Sequence, residues 1–232
     1  MPFWSRRGAD PRDVAWSEFA AEYEMAPAPD LAERMREYFA LGQGVIAPVY
    51  SLQRPDQPQI VLFDQRRDRS GPTGSVSSLR TGVVIRSPND YVPVSLRASA
   101  RRHKVLEEIE ARRAGGQRLE FDDEQFDAQV SVFARDESAA RGVLTPTVRS
   151  VLARLLAAAD AVSPDTLPGA VPTAGVAPQV VIGARNLMLL AEPRTPLEFE
   201  PLGQLVTDML TLYAAFTAAP LQAGGEPGDR IA

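Results

Sequence analysis

The segment from Leu119 to Pro146 constrains the fold more than any other part of the chain. It reads Leu119-Glu120-Phe121-Asp122-Asp123-Glu124-Gln125-Phe126, runs through Ala128, Val130 and Val132 to Phe133, and closes on Asp136 and Leu144-Thr145-Pro146. Strict alternation puts Phe126, Ala128, Val130 and Val132 on one side of an extended chain, which predicts strand over Leu119–Phe121 and again over Phe126–Phe133. Asp136 is placed to accept backbone N–H bonds at the start of a short turn containing Ala139, Ala140 and Val143. Thr145-Pro146 is a helix opening, with a capping hydroxyl and a proline whose φ is already helical. The helix behind it carries Val148, Val151, Leu152, Leu155 and Leu156 on one face. Strand followed by capped turn and amphipathic helix means helix packed on sheet.

The flanking segments extend that reading. Asp10-Pro11-Arg12-Asp13 opens a helix with Trp16, Phe19, Ala20 and Tyr23 aligned, and Asp30 opens a second with Leu31, Met35, Tyr38 and Phe39. Residues 1–40 are therefore an N-terminal helical segment that packs on a core spanning 41–218, and residues 219–232 are a disordered tail. Strands are expected at Val45–Leu52, broken by Pro48, at Gln59–Asp64, at Ser75–Arg86 and at Tyr91–Leu96, with a polar connecting loop from Arg66 to Gly74. Ser99 is placed to cap a helix running to about Arg113, and Ser163–Pro178 reads as a loop. Gln179–Ile182 and Leu187–Leu190 form a hairpin, and a strongly apolar helix follows Pro201. Short sequential strands separated by turns pair antiparallel. The fold class is α+β: an antiparallel sheet with packed amphipathic helices in a single domain.

Composition excludes several chemistries. There is no cysteine, so thiolate nucleophiles, disulfides and sulfur-ligated metals are absent. Histidine occurs once, as His103 between Arg102 and Lys104, where cationic neighbours disfavour a further charge. The acidic run Asp122, Asp123, Glu124, Asp127 lacks the spacing and the glycine of a calcium loop and reads as a solvated strand entrance. No phosphate-cradling glycine loop, nucleophile elbow or zincin motif is present. These observations lead to no catalytic residue, no cofactor and no metal. A net charge of −5 disfavours nucleic acid as a partner. The apolar stretch Val176–Ala191 is interrupted by Pro178, Arg185 and Asn186, so no transmembrane segment is expected. The expected location is cytoplasmic.

The arginines offer a candidate binding site. Arg66 and Arg67, with Arg101 and Arg102, form an anion-binding patch if loop and helix meet. Asp64 and Asp68 interleave with the first pair and Glu107, Glu108 and Glu110 follow the second, which favours ordinary surface charge.

The ordered series Phe121-Asp122-Asp123-Glu124-Gln125-Phe126, Asp136 with Ala139-Ala140-Arg141, Leu144-Thr145-Pro146 and Phe199-Glu200-Pro201 resembles a bacterial family, the domain-of-unknown-function family 3137. Its members are often neighbours of LemA-type membrane proteins. The resemblance covers roughly Leu119 to Leu210 and implies a fold without an activity. Residues and resemblance together lead to a non-enzymatic interaction or scaffold module that binds a protein partner or itself. The alternatives are a phosphate or nucleic-acid binding module using the clustered arginines, and a peripheral membrane-associated accessory protein.

Overall fold

The computed structural model describes residues 11–39, 43–71, 74–88, 95–100, 116–161, 178–191 and 199–218, apart from the side chains of 11, 38, 39, 67–71, 74–78 and 199. Among the described residues, nine strands form one antiparallel sheet in the order β1-β2-β3-β4-β9-β8-β5-β7-β6. They are β1 (Ala26–Pro27), β2 (Val45–Leu52), β3 (Gln59–Gly71), β4 (Gly74–Arg86), β5 (Leu96–Ala100), β6 (Gln117–Leu119), β7 (Val130–Ala134), β8 (Gln179–Ile182) and β9 (Asn186–Ala191). Strands β1 to β4 form a meander. The β8–β9 hairpin then inserts between β4 and β5. The expected α+β class is what the chain adopts.

Period-two alternation across matched registers builds two faces. One row runs Leu62↔Val83↔Leu189↔Val180↔Ala98↔Val132↔Leu119. On this face lie α1 (Pro11–Glu22), α5 (Pro146–Ala161) and α6 (Phe199–Ala218), which bury Trp16, Phe19, Leu152, Leu155, Leu205, Met209 and Leu212 against it. The opposite face presents Val61, Phe63, Val84, Met188 and Leu190, and α2 (Leu31–Phe39) covers it with Leu31 and Met35. The two N-terminal helices thus dock on opposite sides of the sheet. Helix α1 ends with Glu24 in the left-handed region (φ 56°), while Met25 N–H bonds the Ala20 carbonyl at 2.8 Å. That is a glycine-type helix stop made without glycine.

Gly82 shows how tightly the second face is filled. A Cβ there would lie 2.3 Å from Cζ of the fully buried Phe63, its cross-strand partner. The ring cannot swing away inside the core, so Gly82→Ala is expected to cost about 1–3 kcal/mol. A urea midpoint equal to that of the parent protein would show that the ring is mobile.

Several expectations change. The polar stretch Arg66–Gly74 is not a connecting loop. β3 continues to Gly71 and pairs residue by residue with β4 down to Gly71↔Gly74. Pairing with β2 reaches only Arg66 and pairing with β9 only Thr81, so the far end is a two-stranded ribbon extending past the sheet. With no apolar face to bury, that ribbon carries no hydrophobic period from which to read it. Ser99 is not a helix cap, because Leu96–Ala100 is a central strand and Ser99 pairs with both Ser131 and Gln179. Of the expected strand over Tyr91–Leu96, residues 91–94 lie outside the described residues, Ser95 is not strand and Leu96 opens β5. The helix over residues 101–113, the loop at 163–177 and the tail at 219–232 lie outside the described residues.

The largest revision falls on Phe126–Phe133. Residues Glu124–Gln129 are helix α3, and only Val130–Ala134 is strand. Phe121 likewise lies beyond β6, which ends at Leu119. Asp123 caps α3 by accepting from Phe126 N–H at 3.2 Å, so the acidic run is a helix entrance and not a strand entrance. Local capping outweighed a period-two pattern with only four alternating positions, Phe126, Ala128, Val130 and Val132. Other elements match the reading: Asp136 caps α4 (Glu137–Val143) through Ala139 N–H at 2.9 Å, and Thr145 Oγ1 accepts from Val148 N–H at 3.4 Å. β2 is irregular around Pro48, where the register shifts between Ile46 and Val49.

Candidate functional site

Asp64 is the most buried charge described. Its carboxylate, with no exposed surface, accepts two bonds from Arg12, one of them from Nη2 at 2.7 Å. Trp16 Nε1 donates to it at 2.7 Å and Thr81 Oγ1 at 2.8 Å. β3 and β4 bring Asp64 and Thr81 into direct register, and α1 places Arg12 and Trp16 one turn apart on the side that meets them. Every carboxylate oxygen is held by at least two donors, so this ion pair locks α1 to the sheet. All four groups are used up in that structural task. No sequence pattern links residues 52 positions apart, so sequence reasoning missed the pair.

The segment that opened the sequence reading builds a second knot. Asp127 turns back to accept from Phe121 N–H at 2.9 Å, and Asp122 takes φ 55° to let the chain reverse. Asp123 accepts from Arg149 Nε at 3.1 Å, and Arg149 Nη1 donates to the Leu144 carbonyl at 3.0 Å. The Arg149 guanidinium lies 5.4 Å from the Phe121 ring centre and 5.9 Å from that of Phe126. Arg141 stands 5.3 Å from Phe121 while its Nη2 pairs with Glu137 at 2.8 Å. Cations on aromatic faces and a capped helix end tie α3, α4 and α5 into one unit.

Between α3 and α5 this knot leaves an open cleft of about 270 Å³. Its α5 wall is Pro146, Ser150, Ala153 and Ala157, spaced along one helical face, and Phe126 forms part of its lining. Gln125 and Gln129 of α3 and Arg154 of α5 border it. Arg154 is exposed and has no hydrogen-bond or ion-pair partner among the described residues. A second cavity, of about 170 Å³, lies at the sheet end where β2, β3, β4 and the β8–β9 turn meet. Gln53, Gln57, Gln59, Arg86, Ser87, Pro88 and Arg185 line it.

Of the four arginines expected to bind an anion, only Arg66 has a described side chain. It is half exposed and lies 3.9 Å from Asp13. Arg67 follows it on β3, and its side chain is outside the described residues. Arg101, Arg102 and His103 are outside the described residues. Among the described residues no three His, Cys, Asp or Glu side chains gather as a metal would require. No single described helix is long and apolar enough to cross a membrane. The bent pair α4 and α5, angled at 87°, has the length and composition for a broken span, but Leu144, Val148, Leu152 and Leu155 are fully buried against the sheet.

Comparison with known proteins adds one likeness. No family model matches the chain, and no curated protein matches it. Among solved structures, the crystal structure of the mycobacterial trehalose monomycolate transport factor A, TtfA, is similar in fold, with a TM-score of 0.54 at 10% identity. The match covers 90% of this chain and 97% of that one.

Proposed function

We propose that this chain is a non-enzymatic interaction module, an accessory factor that holds a protein partner in the α3–α5 cleft. The observation that carries the reading is the α5 face Pro146–Ser150–Ala153–Ala157, uncovered among the described residues, beside the exposed guanidinium of Arg154, which has no partner among them. Small side chains let a second helix approach closely, and Arg154 selects a partner with a carboxylate facing it. Two further features support it. The most buried described ion pair, Arg12–Asp64, and the Arg149–Asp123 pair beside the cleft are consumed in holding elements together. The fold is shared, along nearly the full length of both chains, with a protein described as a transport factor. The likeness to family 3137 belongs to the same proposal, since the Asp123 and Thr145 positions that help carry it cap the two helices that wall the cleft.

Ala153→Arg fills the cleft from a half-buried position without entering the core. Affinity capture from the native cell is expected to recover a protein at near-stoichiometric yield with the parent chain and to lose it with Ala153→Arg, the two chains melting at temperatures within about 2 °C. Capture of the same proteins by both chains removes the proposal, as does capture of none. A peripheral membrane-associated role is the second reading, favoured by the structural neighbour being a transport factor. Cell fractionation with liposome sedimentation separates a free cytoplasmic module from one carried on a membrane.

A further inference from the structure

The α3–α5 cleft has charges of opposite sign at its two ends, and they do not meet within the chain. Arg149 leans toward the start of α5, where its Nη1 donates to the Leu144 carbonyl at 3.0 Å and its Nε meets Asp123 at 3.1 Å. The first turn of α3 therefore stands beside the N-terminal end of α5. Glu124 belongs to that turn, exposed and with no hydrogen-bond or ion-pair partner among the described residues. Asp122 precedes it, equally exposed and without a partner among them, and adds charge of the same sign. Arg154 lies beyond Arg149 on α5, farther along the axis by roughly 7.5 Å at 1.5 Å per residue. It too is exposed and has no partner among the described residues.

A two-fold axis through the cleft near Ser150 pairs both ends at once. It turns a second α5 antiparallel to the first and sets Arg154 of each copy against Glu124 of the other. The ridge of one α5 then seats in the other copy's groove between α3 and α5, where Ser150, Ala153 and Ala157 admit close approach. Antiparallel helix dipoles favour the same arrangement. An unrelated partner would have to supply a carboxylate and a cation in matching order, whereas a second copy brings both. We propose that the occupant of the α3–α5 cleft is a second copy of this chain, held by reciprocal Arg154–Glu124 pairs across a dyad. The inference rests on the cleft being an interaction surface and adds the identity of what fills it.

Sedimentation equilibrium of the purified full chain tests it. The parent is expected at twice its monomer mass, with a dimer that weakens as salt is added. Arg154→Glu sets like charges against each other at both contacts, and Glu124→Arg does so with the opposite sign. Each variant alone is expected to dissociate at least tenfold more readily. In an equimolar mixture of the two, every contact again joins a cation to an anion, so a heterodimer is expected at near-parental affinity. Both side chains are exposed and the α3 cap is Asp123, so the variants keep the fold. If Glu124→Arg nonetheless fails to fold, Arg154→Glu and Ala153→Arg must each still release monomer. A monomeric parent overturns the second copy as occupant, as does a dimer that the folded variants retain or a mixture that stays monomeric. Capture of a different protein, lost in Ala153→Arg, leaves the interaction reading standing while this one falls, so the two fail separately.

Discussion

Replacing Asp64 with alanine is expected to destabilise the protein by about 3–5 kcal/mol, the cost of removing one partner of a buried ion pair. The loss exceeds that of an ordinary hydrogen bond because of what stays behind. Arg12, 8% exposed, loses the buried carboxylate that faces it, and Trp16 Nε1 and Thr81 Oγ1 lose an acceptor. Urea unfolding followed by circular dichroism measures it. Replacing both charges together, Asp64→Leu with Arg12→Met, is expected to recover much of the loss, since the desolvation cost disappears with the pair. Helix α1 is joined to the sheet largely through these groups and the Trp16, Phe19 and Ala20 contacts, so it is the element to loosen first. In a Trp4→Phe background, Trp16 emission should shift to the red in Asp64→Ala at urea concentrations where the far-ultraviolet signal is still native. A change below 1 kcal/mol in Asp64→Ala, with blue Trp16 emission, would mean that the clamp is dispensable.

Phe126→Ala is expected to cost about 3–5 kcal/mol, the range for deleting a buried aromatic ring. The ring is 4% exposed, meets Phe121 edge-on at 5.6 Å between centres and underlies the Arg149 guanidinium. Ala128, two residues on, is exposed on α3, and Ala128→Arg is expected to stay within about 0.5 kcal/mol of the parent. This pair discriminates between two geometries. In an extended chain the two residues share a face and both changes disrupt the core, whereas in a helix they diverge by roughly 200°. Equal losses in thermal unfolding would restore the strand. Phe126 also lines the cleft, so its variant is expected to weaken partner capture even at temperatures where it remains folded.

Legibility followed the range of the forces involved. The caps at Asp136 and Thr145, the β8–β9 hairpin and the apolar face of α6 rest on interactions within a few residues, and all were readable along the chain. The polar half of β3 was not, because backbone bonds to β4 hold it and no burial pattern marks it. Ser99 failed for the opposite reason. A serine ahead of Val105, Leu106 and Ile109 reads as a cap until a central strand needs a small residue between Ser131 and Gln179. Candidate sites were less legible still. The sequence offered Arg66, Arg67, Arg101 and Arg102 because they are neighbours in the chain, while the described arginines that line a common cavity are Arg149 with Arg154 and Arg86 with Arg185.

Residue order alone therefore determined the α+β class, the antiparallel pairing, most helix starts and the exclusion of thiol chemistry. Strand register and helix packing decided which distant side chains meet: Arg12 with Asp64, and Asp123 with Arg149. The physical reason is that capping and periodicity act over one or two turns of chain, whereas charge and shape complementarity act through space and exist only once the sheet has closed.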